Sequence, residues 1–131
     1  MKKKDLIIIS ICAREGSQGV RNKNIQEIGG KTLISRAIDD AQKLTFSNQI
    51  IFSSDSVSYL NKIPDSKKIF KIKRPKKLAE KNSPKWHVFR HIIDKYKKLT
   101  NNLPSILVDL DVGAPFRKIS DIEKCVKLLI K

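Results

Sequence analysis

Positions 13 to 24 read Ala13-Arg14-Glu15-Gly16-Ser17-Gln18-Gly19-Val20-Arg21-Asn22-Lys23-Asn24. Glycines let a backbone approach a ligand closely and turn its N–H groups inward. Arg14, Arg21 and Lys23 supply cations that could neutralise a polyphosphate. On residue types alone, this is either a phosphate-cradling loop or a plain surface loop. Gly30-Lys31-Thr32 has the ending of a P-loop, but the earlier glycine that the motif requires is Ile25. The dinucleotide fingerprint GxGxxG does not fit either.

The surrounding elements decide where such a loop would lie. Residues 6–12 form a continuous, β-branched-rich apolar run, as in a strand buried on both faces. Leu33, Ile34, Ala37, Ile38, Ala41 and Leu44 recur at helical spacing, with Thr32 as N-cap. Residues 49–53 read as a second strand that ends at Ser54-Asp55, and a short helix runs from Ser56 to about Lys62. Residues 68–72 alternate as a third strand near an edge, where its lysines stay wet, and Pro75 ends it. Ser83 is expected to cap a long helix with Pro84 at its first position and Trp86, Phe89, Ile93 and Tyr96 as its apolar stripe. Residues 105–110 form a fourth strand, and a final helix starts at Ser120, which forms a capping box with Glu123. Strands separated by helices imply an α/β fold with a parallel sheet and right-handed crossovers. Ligands of such sheets bind beyond the carboxyl ends of the strands. That rule selects residues 13–24, 54–55, 74–83 and 111–117.

Composition sets outer bounds. The 131 residues, 40% of them hydrophobic, suit one nucleotide-binding-sized domain, 1–131, with a real core. No apolar run approaches the roughly 18 residues that span a bilayer. The lysine-rich start followed by Leu6-Ile7-Ile8-Ile9 lacks the length and cleavage site of a signal peptide and reads as a strand. Cys12 and Cys125 have no metal spacing and are expected to be reduced core residues of a cytoplasmic protein. Of the net charge of +15, residues 67–98 carry +11, from 13 Lys/Arg against Glu80 and Asp94. Three explanations compete: nucleic-acid affinity, an electrostatic funnel for an anionic substrate, and lysines solvated on helix faces. Few aromatics and no nucleic-acid motif accompany the charge, which favours the last.

Four blocks, in order, resemble the acylneuraminate cytidylyltransferases. The first runs from Ile11 through Lys23-Asn24 and continues into Gly29-Gly30-Lys31-Thr32-Leu33-Ile34. The second is Ile50-Ile51-Phe52-Ser53-Ser54-Asp55. The third is Arg74-Pro75-Lys76-Lys77-Leu78-Ala79 with Asn82-Ser83-Pro84, and the fourth is Ala114-Pro115-Phe116-Arg117 with Asp121-Ile122. The resemblance implies a three-layer, Rossmann-like nucleotide-diphospho-sugar transferase fold whose four strands lie in the order third, second, first, fourth. It implies transfer of CMP from CTP to a nonulosonic, sialic-type sugar acid, with release of pyrophosphate. By position, Ala13, Arg14, Gly16, Ser17 and Asn24 would hold the nucleotide, with Lys23 and Arg14 in the catalytic role of neutralising the triphosphate. Arg74 and Ser83 would contact the cytidine or its ribose, Asp55 would close the pocket, and Arg117 would sit near the sugar acid. Each has a plainer alternative: a solvated cation for Arg74, a helix cap for Asp55 and for Ser83. The implied reaction needs a cation, usually Mg²⁺, to shield the phosphates. Asp111 is the best carboxylate for it, Asp109 lies deeper, and both could instead be hydrogen-bonded structural groups.

Three departures qualify the resemblance. Gln18 stands where the family usually has Lys, and Asp111-Val112-Gly113-Ala114 where it usually has Gln-Pro-Thr-Ser. The family continues beyond the fourth strand and its helix with further strands, a dimerisation segment and a metal-binding carboxylate pair, so the chain corresponds to roughly its first half. An enzyme lineage with reduced or absent turnover is one expectation. The other is a non-catalytic nucleotide- or nucleic-acid-binding module that uses the basic 67–98 segment. The fourth strand, apolar and without Pro or Lys, should leave an open edge through which a homodimer could form.

Overall fold

The strand Ile7–Cys12 (β1) sits at the middle of a four-stranded parallel sheet because its side chains are apolar or small on both faces. It pairs on one side with β4 (Gln49–Ser54), in register Ile9↔Ile50, and on the other with β6 (Ile106–Asp109), in register Ile9↔Val108. The strand Ile69–Lys73 (β5) adds to β4 with Phe52 opposite Lys71. The sheet order β5-β4-β1-β6 is the third-second-first-fourth order expected. The computed structural model describes residues 5–15, 27–46, 49–80, 84–114 and 116–130.

Helices cover both faces, giving three layers. On one face Ile9, Ile11, Ile50 and Phe52 meet Leu33, Ile34, Ala37, Ile38 and Ala41 of α1 (Leu33–Lys43), with Tyr59 of α2 (Val57–Asn61). Ile119 and Ile122 of α4 (Ile119–Ile130) pack against the same cluster. On the other face Ile8, Ile51 and Ile72 meet Val88, Ile92 and Tyr96 of α3 (Lys85–Thr100). Each fully buried aliphatic side chain contributes roughly 1.5–3 kcal/mol, so the period-two alternation of the strands fixes which residues reach which layer.

Thr32 caps α1 as its spacing implied, its hydroxyl accepting from the Ser35 N–H at 3.0 Å. Ahead of it the chain makes a two-residue hairpin, β2 (Glu27–Ile28) against β3 (Lys31–Thr32), where a plain loop was expected. Gly29 and Gly30 form its turn at φ of 61° and 83°, a geometry that favours glycine at both positions.

Four local expectations are corrected. The buried stripe of α3 is Val88-Ile92-Tyr96, not Trp86-Phe89-Ile93-Tyr96. Trp86 is 57% exposed and lies edge-on to the His87 ring, because α3 carries apolar residues on more than one face and the sheet selects only one. Pro84 is extended at φ −60°, ψ 135° and occupies the cap position instead of the first helical turn, while Ser83 lies outside the described residues. Helix α4 begins at Ile119, so Ser120 is inside its first turn and is not its cap. Cys125 is exposed on α4, because Val126 is the residue which that helix buries; Cys12 alone is enclosed.

Candidate nucleotide site

Parallel strands end together, so the loops after β1, β4, β5 and β6 meet at one edge of the sheet. The first is tied to the second. The Ala13 N–H donates to the Ser53 carbonyl at 3.0 Å, and the Glu15 N–H donates to Asp55 Oδ1, also at 3.0 Å. Asp55 therefore fixes the start of the 13–24 loop. The cap of α2 is Ser56, whose hydroxyl accepts from the Tyr59 N–H.

Arg74 closes the third corner. Its backbone N–H donates to Ser54 O at 2.9 Å, and its Nη2 donates to Ser53 O at 3.2 Å. The residue is only 6% exposed, and its buried Nε–H has no hydrogen-bond partner among the described residues. Burial pulls its pKa below the ordinary arginine range, opposed by the nearby carboxylates of Asp55 and Asp109. Arginine stays protonated under such a pull, so the site holds a fixed buried cation. The alternative of one more solvated cation does not apply to Arg74.

A cavity of about 230 Å³ opens at this edge on the α3 side, lined by Cys12, Arg14, Arg74, Leu78, Glu80, Lys85 and Val88. Arg14 and Arg74 are thus brought together as the sequence implied. Cys12, Glu80 and Lys85 were not anticipated there. Burial, with Asp109 nearby, pushes the Cys12 thiol up to about 12. Lys85 reaches across from the first residue of α3 to Asp109 Oδ2 at 2.6 Å, and Ser10 Oγ donates to Asp109 Oδ1 at 2.9 Å. The available signal was a carboxylate inside an otherwise apolar strand, which demands a buried partner. Ser10 and Asp109 are register partners on neighbouring strands. A larger cavity, about 460 Å³, lies at the other end of the sheet between the end of α1 and the start of β4, with Lys43 and Lys68 as its charged lining. Its described lining holds no carboxylate and it sits at the amino ends of the strands, so the carboxyl-edge pocket is the candidate chemical site.

Asp111 follows β6 and is exposed; its Oδ1 accepts from the Gly113 N–H at 2.9 Å. Asp109 is deeper, as expected, and both of its oxygens are engaged. Arg117 is not at the pocket. Its Nη1 pairs with Asp40 Oδ2 of α1 at 2.8 Å and its Nη2 donates to the Asp111 carbonyl, which anchors the 111–117 loop on the opposite face of the sheet. Among the described residues, no three His, Cys, Asp or Glu side chains are grouped as a metal site. No helix among them is long and apolar enough to cross a membrane. Gly16, Ser17, Lys23, Asn24 and Ser83 lie outside the described residues.

Comparisons with known proteins agree with this geometry. Residues 7–126 match the family model described as Cytidylyltransferase. The chain is 33% identical over 119 residues to post-translational flagellin modification protein B of Campylobacter coli, covering 90% of this chain and 50% of that protein. It is 32% identical over 109 residues to CMP-N,N'-diacetyllegionaminic acid synthase of Campylobacter jejuni, covering 83% and 46%. To N-acylneuraminate cytidylyltransferase of Escherichia coli O18:K1:H7 it is 30% identical over 122 residues, covering 93% and 28%. The chain therefore spans half or less of the length of these curated relatives. Among solved structures, CMP:2-keto-3-deoxy-manno-octonic acid synthetase complexed with CTP superposes with a TM-score of 0.69 at 17% identity, covering 94% of this chain and 46% of that one. That likeness shows the fold.

Proposed function

Because the chain belongs to the cytidylyltransferase family, we propose that it forms the nucleotide-binding half of an enzyme that transfers CMP from CTP to a nonulosonic sugar acid. The sugar's anomeric hydroxyl attacks the α-phosphorus and gives its proton to solvent; a new P–O bond forms as the bond from the α-phosphorus to the α,β-bridging oxygen breaks, and pyrophosphate leaves with that oxygen. The observation that carries this proposal is the carboxyl-edge pocket, in which Arg14, a buried Arg74 and Lys85 converge. Such chemistry is positioning and charge stabilisation, and a cation fixed before the substrate arrives, as the buried Arg74 is, costs no reorganisation.

In this proposal Ala13, Arg14, Gly16, Ser17, Lys23 and Asn24 hold the nucleotide, with Lys23 and Arg14 on its phosphates. Arg74 and Ser83 face the cytidine or ribose, and Asp55 holds the loop in register through the Glu15 N–H. Arg117 contributes to the sugar-acid side by setting the 111–117 loop against α1.

Magnesium fits the donor set in one way. Asp109 is already neutralised by Lys85 and Ser10, whereas Asp111 is exposed and has an oxygen to spare. One carboxylate with phosphate oxygens is an ordinary Mg²⁺ environment, so Asp111 is the residue that would hold it. When bound, the cation shields the phosphates and makes the α-phosphorus more electrophilic. The same proposal places the protein in the cytoplasm, where unpaired thiols such as Cys12 and Cys125 persist.

Calorimetric titration with CTP and Mg²⁺, against ATP and single-stranded RNA, tests the proposal. CTP should bind in preference to ATP, and Lys23→Ala should weaken it about tenfold, as for the loss of a charged hydrogen bond. Lys98→Ala, on the exposed face of α3, should change it little. Equal losses at the same salt, or tight RNA binding with a steep salt dependence and no CTP preference, would replace this reading with a diffuse polyanion site.

A further inference from the structure

We propose that Lys85 is a phosphate-binding residue held in reserve by Asp109, exchanging that carboxylate for the polyphosphate when the nucleotide enters. The identity of the polyphosphate as that of CTP rests on the function proposed above; the exchange itself rests on geometry.

Lys85 is the first residue of α3, where a cation faces the positive end of the helix dipole. That is an unfavourable place for a lysine unless an anion is supplied, and Asp109 supplies one at 2.6 Å. The two partners are unequal. Asp109 is held on β6 by Ser10 Oγ, and its side chain is 16% exposed. The Lys85 side chain is 47% exposed, on a flexible stem, and lines the cavity. Lysine is therefore the member free to move. The Phe89 ring, 5.8 Å from Nζ, gives the ammonium a second favourable surface.

Arg14 and Arg74 share the wall with it. The Arg74 guanidinium is buried and bonded to the Ser53 carbonyl, so it is a fixed charge that cannot follow a ligand as the Lys85 stem can. A polyphosphate has more charge and more acceptor oxygens than a carboxylate, so it outcompetes Asp109 for a compact ammonium with three donors. After the exchange Asp109 keeps Ser10 and the neighbouring Arg74 charge. The opposing possibility is a clamp, in which the ion pair only fastens α3 to the sheet edge.

The two differ in sign for Asp109. The test is calorimetric titration of the protein with inorganic tripolyphosphate, CTP and cytidine, in chelator, for K85M, D109N and the double variant, with thermal unfolding alongside. Exchange requires K85M to weaken tripolyphosphate about tenfold and leave cytidine unchanged. It also requires D109N to tighten tripolyphosphate and that gain to vanish in K85M/D109N. If K85M folds poorly with Asp109 unpaired, the double variant against D109N carries the comparison, because neither leaves a lone carboxylate. A D109N gain that persists without Lys85 means a general field effect and overturns the exchange. So does an unchanged tripolyphosphate affinity in K85M, whatever happens to the melting temperature. Lys85-dependent tripolyphosphate binding without CTP preference would keep the exchange and sink the cytidylyl proposal. CTP binding indifferent to Lys85 would do the reverse, and binding of neither ligand would sink both.

Discussion

Cys12 shows how one residue's surroundings change its chemistry. It lines the pocket, so reagents can reach it, but burial and the Asp109 carboxylate push its thiol up to about 12. The thiolate is the nucleophile, and at pH 8 its fraction is then on the order of one in ten thousand. Cys125 is exposed on α4. Brief alkylation at pH 8, read by mass spectrometry, should therefore label Cys125 and spare Cys12; equal rates would show that the pocket does not hold the thiol protonated. The same shift makes a stability prediction. Above the ordinary thiol value of 9.0 the unfolded chain loses this proton while the folded chain keeps it. Stability from this group is present below about pH 9 and declines toward pH 12, by about 1.4 kcal/mol per pH unit. A Cys12→Ser variant should flatten that alkaline decline in denaturant titrations. At this scale the sequence pointed to Arg14 and Arg74, both of which line the pocket, because each stands at the end of a recognisable strand. It concealed Lys85, because a lysine opening a basic helix resembles its twelve neighbours in the 67–98 run until Asp109 is seen opposite it.

At the scale of elements, the parallel α/β class was legible because apolar strands alternate with helix spacing, while the strand order came with the family resemblance. The rotation of α3 was not legible: apolar side chains occur on more than one of its faces, and only packing on Ile8, Ile51 and Ile72 selects Val88-Ile92-Tyr96. The hairpin before α1 was missed although Gly29-Gly30 is a direct turn signal, since the flanking strands are only two residues each. That hairpin sets the entry to α1: Arg36 donates to the Ile28 carbonyl, and Lys31 pairs with Asp39. Gly30 has φ of 83° and open space where a Cβ would go, so Gly30→Ala meets only backbone strain. Loss of about 1 kcal/mol is expected, seen as a lower denaturation midpoint with an unchanged slope. Thr32→Ala should cost a similar amount, about 1 kcal/mol, through loss of the cap to Ser35. If Gly30→Ala were neutral, the hairpin would not be formed in solution.

For the whole molecule, β6 is the exposed consequence of the sheet order. It pairs with β1 on one side, and no other described strand pairs with its second side. The Ile106 N–H donates to Leu6 and the Leu110 N–H to Ser10, so parallel alternation leaves the Leu107 and Asp109 N–H groups at the free edge. No Pro or Lys within Ile106–Asp109 guards that edge. Elsewhere, α4 leaves Leu128 and Leu129 72% and 70% exposed. An open edge favours pairing with another chain, and exposed leucines add apolar surface. The net charge of +15 opposes self-association at long range. Salt screens that repulsion over about 10 Å at 0.1 M but leaves backbone hydrogen bonds in place, so pairing should strengthen as salt rises. Light scattering should show a concentration-dependent dimer, more populated at 0.5 M than at 0.05 M salt. Hydrogen exchange should show the Leu107 and Asp109 amides gaining protection as that dimer forms, while the Leu110 amide, bonded to Ser10 in either state, changes little. A monomer at high concentration and high salt, with the Leu107 and Asp109 amides exchanging freely, would mean that the β6 edge is tolerated unpaired.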